Sequence, residues 1–156
     1  MKNRAPIIKM NQQAGDISYR RYFQLLDMFI KEGAVFHMHP EILHFGENER
    51  RHYSISKYNL RFGNTYSIFN PCTSQEMDKN RKDVFYFSLE EDTTIKDDSH
   101  KITYLLLALS IKVQLNDLMK PNLSVYKGRM HDKTLEEYRK AKKEFILWKQ
   151  NKRDEA

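Results

Sequence analysis

Four of the six histidines fall within sixteen residues: His37, His39, His44 and His52. On a strand, successive side chains alternate, so His37 and His39 would point the same way. Two imidazoles in that relation can chelate one divalent cation, with Glu41 or a later carboxylate as third ligand. The same residues also fit a strand with partly exposed histidines and no metal. A second chemical pattern follows directly. Arg50-Arg51-His52-Tyr53, Lys57-Tyr58 and Arg61-Phe62 interleave cations with aromatic rings. That mixture suits single-stranded nucleic acid, whose bases stack on rings while cations track the phosphates. It also suits an edge strand whose rings pack inward and whose charges face water.

Other chemistries lack their residues. The sequence has no Gly-rich phosphate loop, no Gly-x-Ser-x-Gly elbow and no Cys-His pair of recognised form. A single cysteine, Cys72, excludes an intramolecular disulfide framework and a Cys-based zinc site. It follows Pro71 in a polar stretch and reads as an incidental free thiol. Glu90-Glu91-Asp92 with Asp97-Asp98 lacks the spacing and the glycine of an EF-hand. The longest apolar run, Tyr104 to Leu109, is six residues, too short to cross a bilayer. No apolar segment follows Met1-Lys2-Asn3-Arg4, so no signal peptide is expected and a cytoplasmic location is read.

At 156 residues and 40% apolar content, the length prior gives one domain able to bury a core. The net charge of +6 favours an acidic partner. Its distribution is uneven. Glu76 to Asp98 sums to −4, which leaves +10 for the rest. The cations concentrate in Lys2 to Arg21, Arg50 to Arg61 and Lys133 to Arg153.

These residues need elements to position them. Ser18 can cap a helix in which Tyr22, Leu25, Leu26 and Phe29 make one apolar face and Gly33 marks the end. Residues 1–15 would be an extended arm. Short strands are expected at Ala34 to Met38, Ile42 to Phe45, His52 to Tyr58, Thr65 to Phe69 and Val84 to Leu89. Asn70 to Lys82 reads as a polar loop. Ser99 can cap a second helix running to Lys120, apolar nearly all round, which suits burial or contact with a second copy of the chain. Residues 121–132 would connect it to a basic last helix over 134–156, with Thr134 and Glu137 as a capping box. On that helix Tyr138, Ala141, Phe145 and Trp148 share one face. The expected class is α+β: about three helices and four to six short, mostly antiparallel strands in a single compact domain.

One stretch has a likeness. The order is Gln13-Ala14-Gly15-Asp16-Ile17-Ser18-Tyr19-Arg20-Arg21, then an apolar helix ending Phe29-Ile30-Lys31-Glu32-Gly33. Val35-Phe36-His37-Met38-His39-Pro40-Glu41-Ile42 follows, then Gly46 and Arg50-Arg51. Residues 12–53 thereby resemble the recognition helix, shortened wing and trailing strand of winged-helix plasmid replication initiators, the RepL-like group. His39 stands where that family typically has Asn. The resemblance implies DNA binding through the Tyr19 to Gln24 face and a replication role in a plasmid or phage. On such a helix Arg20 and Arg21 would reach guanine or phosphate, and Gln24 an adenine edge. The His37-Met38-His39 step is also similar to the metal motif of rolling-circle nickases. That likeness implies a tyrosine nucleophile, for which Tyr138 beside Lys142 is the candidate, although Tyr138 equally reads as core.

Three functions follow. The first is a small basic DNA-binding protein using Arg20, Arg21, Gln24, Arg50, Arg51, Lys57 and Arg61. The second is a non-catalytic inhibitor or adaptor acting through protein contact, oligomeric through the helix at 99–120. The third is a metal-dependent nicking nuclease using His37, His39 and Tyr138. Only the third calls for a cofactor, a divalent metal.

Overall fold

The computed structural model describes residues 28–44, 50–61, 63–78, 80–88 and 102–155. Within them the chain is α+β. Seven strands form one antiparallel sheet: β1 (Ala34–Met38), β2 (His52–Ser56), β3 (Tyr66–Thr73), β4 (Val84–Ser88), β5 (Ile102–Leu106), β6 (Ile111–Gln114) and β7 (Ser124–Arg129). Two α-helices accompany it, α1 (Leu115–Leu118) and the long α2 (Asp132–Glu155). A 3-10 helix spans Pro40–Leu43. The sheet order is β4-β5-β3-β2-β1-β7, with β6 also paired to β3.

β3 organises the sheet. Its first half pairs with β6, Phe69 opposite Ile111, and its end pairs with β5, Cys72 opposite Leu105. Residues 107–110 therefore bulge out between two pieces of one strand position. Asn70 and Pro71 lie opposite that interruption. Proline has no N–H for a ladder and is ordinarily excluded from a central strand. Here the ladder is broken where Pro71 falls.

Both faces of the sheet are covered. Phe36, Met38, Phe69 and Val113 pack with Ile42, Leu43, Leu115 and Leu118 on one side. Val35, Ile55, Cys72, Phe87 and Leu105 pack against Leu135 and Tyr138 of α2 on the other. This explains the main corrections. The predicted helix over 99–120 is instead β5, β6 and α1 among the described residues. A strand buried on both faces carries a continuous apolar run, which a helix template reads as apolar all round. Leu105, Leu107, Val113 and Leu115 are spent inside the chain, each at most 3% exposed. The expected oligomer contact through that helix loses its basis.

The strand count exceeds the expected four to six, and two α-helices stand among the described residues rather than three. The predicted loop from Asn70 begins within β3, so Cys72 is a buried core residue and not a loop thiol. Ile42 lies in the 3-10 helix, not a strand. β7 occupies the predicted connection. α2 begins two residues before Thr134. His131 caps it: the Leu135 amide donates to its carbonyl at 2.8 Å and the Lys133 amide to its Nδ1 at 3.3 Å. Most of the predicted first helix, and the arm before it, lie outside the described residues. Met28 and Phe29 are helical, and Phe29 is buried as its apolar face requires. The helix stops at Phe29, short of Gly33; Gly33, with φ +86°, instead takes the left-handed position of the turn closed by the Ala34 amide on the Lys31 carbonyl at 2.9 Å.

Candidate functional site

A groove of about 560 Å³ runs between α2, the turn after β2 and the bulge at 107–110. Lys57 and Tyr58 form one wall, Leu107, Ala108 and Ser110 the floor, and α2 the other wall. Six cations line it, Lys57, Arg139, Lys142, Lys143, Lys149 and Arg153, against one carboxylate, Glu32.

Glu32 and Lys142 anchor the groove. Lys142 lies on the buried stripe of α2, after Leu135 and Tyr138. A lysine on such a face needs partners for its ammonium. Nζ donates to Glu32 Oε2 at 2.5 Å and to the Lys57 carbonyl at 2.7 Å. It also lies 4.4 Å from the Tyr138 ring centroid and 5.3 Å from that of Tyr58. Arg139 Nε donates to Glu32 Oε1 at 2.6 Å, and Asn59 Oδ1 accepts from the Glu32 amide at 2.8 Å. Burial pushes the Glu32 carboxyl up, but the hydrogen bonds from Lys142 and Arg139 outweigh it and hold the carboxyl below its ordinary value. Burial draws the Lys142 ammonium below its ordinary value, and Glu32 restores only part of that. The pair therefore fixes α2 against the end of β2. The more exposed Lys143, Lys149 and Arg153 remain as surface charge.

The predicted binding residues are dispersed. Arg20, Arg21 and Gln24 lie outside the described residues. Arg50 is exposed, and Arg51 donates to the Asn122 carbonyl before β7. Lys57 lies at the other end of β2, where its Nζ donates to Ser110 Oγ at 3.0 Å. At about 3.3 Å per residue, the strand separates Arg51 from Lys57 by roughly 20 Å. Arg61 is exposed beside a smaller hollow of about 250 Å³, which adjoins the groove at Tyr58. The structure thus brings together Lys57, Tyr58 and the last helix, with Arg61 nearby, and leaves Arg50 and Arg51 elsewhere.

The metal constellation does not assemble among the described residues. His37 stacks on Tyr53, centroids 4.7 Å apart. His39 caps the 3-10 helix, its Nδ1 accepting from the Glu41 amide at 3.1 Å. Among the described residues, no group of three or more His, Cys, Asp or Glu side chains is arranged to hold a metal ion. Nor is Tyr138 placed as a nucleophile. It is fully buried, its hydroxyl donates to Asn70 Oδ1 at 2.6 Å, and burial foremost raises its pKa far above the ordinary phenol value. A phosphate could not reach it without opening the core.

The sequence reading misses Glu32; it places Arg139 and Lys142 on the basic last helix, Lys142 also beside Tyr138, but does not pair either with a carboxylate on a distant segment. The available signal was Lys142 itself, a charge in phase with the apolar stripe. No protein-family model matches the chain, and a search of curated proteins finds no relative. Among the described residues, no helix is long and apolar enough to cross a membrane.

Proposed function

We propose that this protein is a nucleic-acid-binding module whose interface is the groove along α2. One observation carries the reading: six cations line a single concavity against one carboxylate, and that carboxylate is already paired. Such a concavity concentrates positive potential and suits a phosphate backbone. Tyr58 and Phe145 add ring surface beside the charges.

DNA as the partner, a replication or regulatory role in a plasmid or phage, and a cytoplasmic location belong to the same proposal. The net charge of +6 and the likeness of residues 12–53 to plasmid initiators support the partner and the role. The test is fluorescence anisotropy with labelled oligonucleotides across a salt series. Binding should weaken with a log–log slope of about −0.7 per phosphate contact on single strands and about −0.9 on duplex. No binding at micromolar protein in low salt would overturn the reading.

A second reading has its own observation. Ile146 and Leu147 are 49% and 59% exposed on α2, an apolar patch near the end of a charged helix. That patch supports a non-catalytic adaptor acting through protein contact. A Leu147→Asp variant, outside the groove lining, that leaves oligonucleotide affinity intact but abolishes function in cells would favour it.

A further inference from the structure

We propose that Tyr58 is a base-stacking platform, and that the groove takes single-stranded nucleic acid in preference to duplex. The inference rests on the reading of the groove as a nucleic-acid site. Phe36, Phe69, Phe87 and Tyr138 are buried, and the exposed Tyr86 lines a different hollow. Tyr58 is 48% exposed. It sits where two hollows meet, shared between the large groove and the smaller one at Arg61 and Tyr66. Cations therefore lie on both sides of it, Lys143, Lys149 and Arg153 in one hollow and Arg61 in the other.

The ring is held in place before any ligand arrives. Lys57 and Lys142 ammonium groups lie 5.5 and 5.3 Å from its centroid. Lys142 is itself fixed by Glu32 and by the Lys57 carbonyl. Pre-positioning cuts the ordering cost of binding. An exposed ring between two cationic hollows matches an unpaired strand, whose base stacks while its flanking phosphates meet the charges. A duplex meets such a recess poorly. Its bases are already stacked, and its phosphates lie on a convex surface that cannot follow cations into a concavity.

The test compares labelled oligothymidylate, a duplex of equal length and an abasic strand of equal length, titrated against the full chain and against Tyr58→Ala. The single strand should bind wild type at least tenfold tighter than the duplex. Tyr58→Ala should weaken the single strand about 5- to 150-fold, the range for loss of one stacked base. The abasic strand should bind wild type about 5-fold or more weakly than oligothymidylate binds it, a comparison that needs no substitution and so stands even if Tyr58→Ala folds poorly. Tyr58→Phe should bind like wild type. Equal affinity for single strand and duplex, or an abasic strand as tight as the intact one, would overturn the inference and leave the groove reading standing. No binding of any oligonucleotide would overturn both.

Discussion

The hydroxyl of Tyr138 donates a 2.6 Å hydrogen bond to Oδ1 of Asn70, 68 residues away in the chain, and both side chains are fully buried. Asn70 Nδ2 in turn donates to the Leu109 carbonyl at 2.8 Å. One amide thereby ties helix α2, the centre of β3 and the bulge at 107–110. The floor and one wall of the basic groove are held in register by this contact. It also accounts for the tyrosine: its ring belongs to the core, and its single polar atom is satisfied inside.

Tyr138→Phe removes the donor while keeping the ring. Asn70 Oδ1 is then left buried without that partner, which costs about 1–3 kcal/mol. Urea unfolding at neutral pH checks this, with an unchanged m-value expected. A loss below half a kcal/mol would show that water substitutes for the hydroxyl.

Glu32→Gln breaks the carboxylate clamp on Arg139 and Lys142 and leaves the Lys142 ammonium underpaired in a largely buried position. A loss of about 1–3 kcal/mol is expected, as for hydrogen bonds to charged groups. The pH dependence has a definite sign. The folded Glu32 carboxyl titrates below its ordinary 4.5, so the unfolded chain binds the proton first. Its stabilisation is complete above about pH 4.5 and is lost as pH falls through the lowered folded value. The stability gap between wild type and Glu32→Gln should therefore narrow from pH 6 to pH 3. A gap independent of pH would show that shape, not charge, is at stake.

Gly33→Ala should destabilise by about 2–4 kcal/mol, because a strained backbone and overpacking act together. The φ of +86° disfavours any Cβ, and a Cβ there would sit 2.8 Å from Leu135 Cδ1. The added Leu135→Ala change should recover part of the loss by opening that contact. Thermal melts of the single and double variants measure the coupling.

Lys143→Ala/Lys149→Ala/Arg153→Ala should lower oligonucleotide affinity and reduce the salt slope by about one per lost phosphate contact on duplex, less on single strands. Arg50→Ala/Arg51→Ala should change affinity much less, because those residues lie at the far end of β2. If the arginine pair carries the affinity instead, the interface is at the other end of the sheet.

Cys72 should resist thiol reagents in the native state. It is buried in β3, and burial raises its thiol pKa above the ordinary value, so thiolate is scarce as well as inaccessible. Labelling should track global unfolding in denaturant. Fast labelling of the folded protein would mean that β3 opens locally.

The sequence alone determined the α+β class, the absence of a disulfide framework and several strands. Ala34–Met38 was legible to the residue, and His52–Ser56 and Val84–Ser88 nearly so, because β-branched and aromatic residues alternate within clear turn signals. The basic character of the last helix was equally plain. Local pattern failed where burial is two-sided. Leu105 and Val113 look alike in a helical template, yet they face opposite layers of one sheet, and only the pairing with β3 separates them. Pro71 looks like the opening of a loop until the break in the neighbouring strand explains how a central strand accommodates it. The site followed the same division. Charge on α2 and the Lys57-Tyr58 pair could be read from residue types, but Glu32 lies 107 and 110 residues from Arg139 and Lys142. Contact over such separations is set by the closing of the sheet and the docking of α2. The tertiary structure therefore decided which cations line one groove, which histidines merely stack and cap, and that Tyr138 is core.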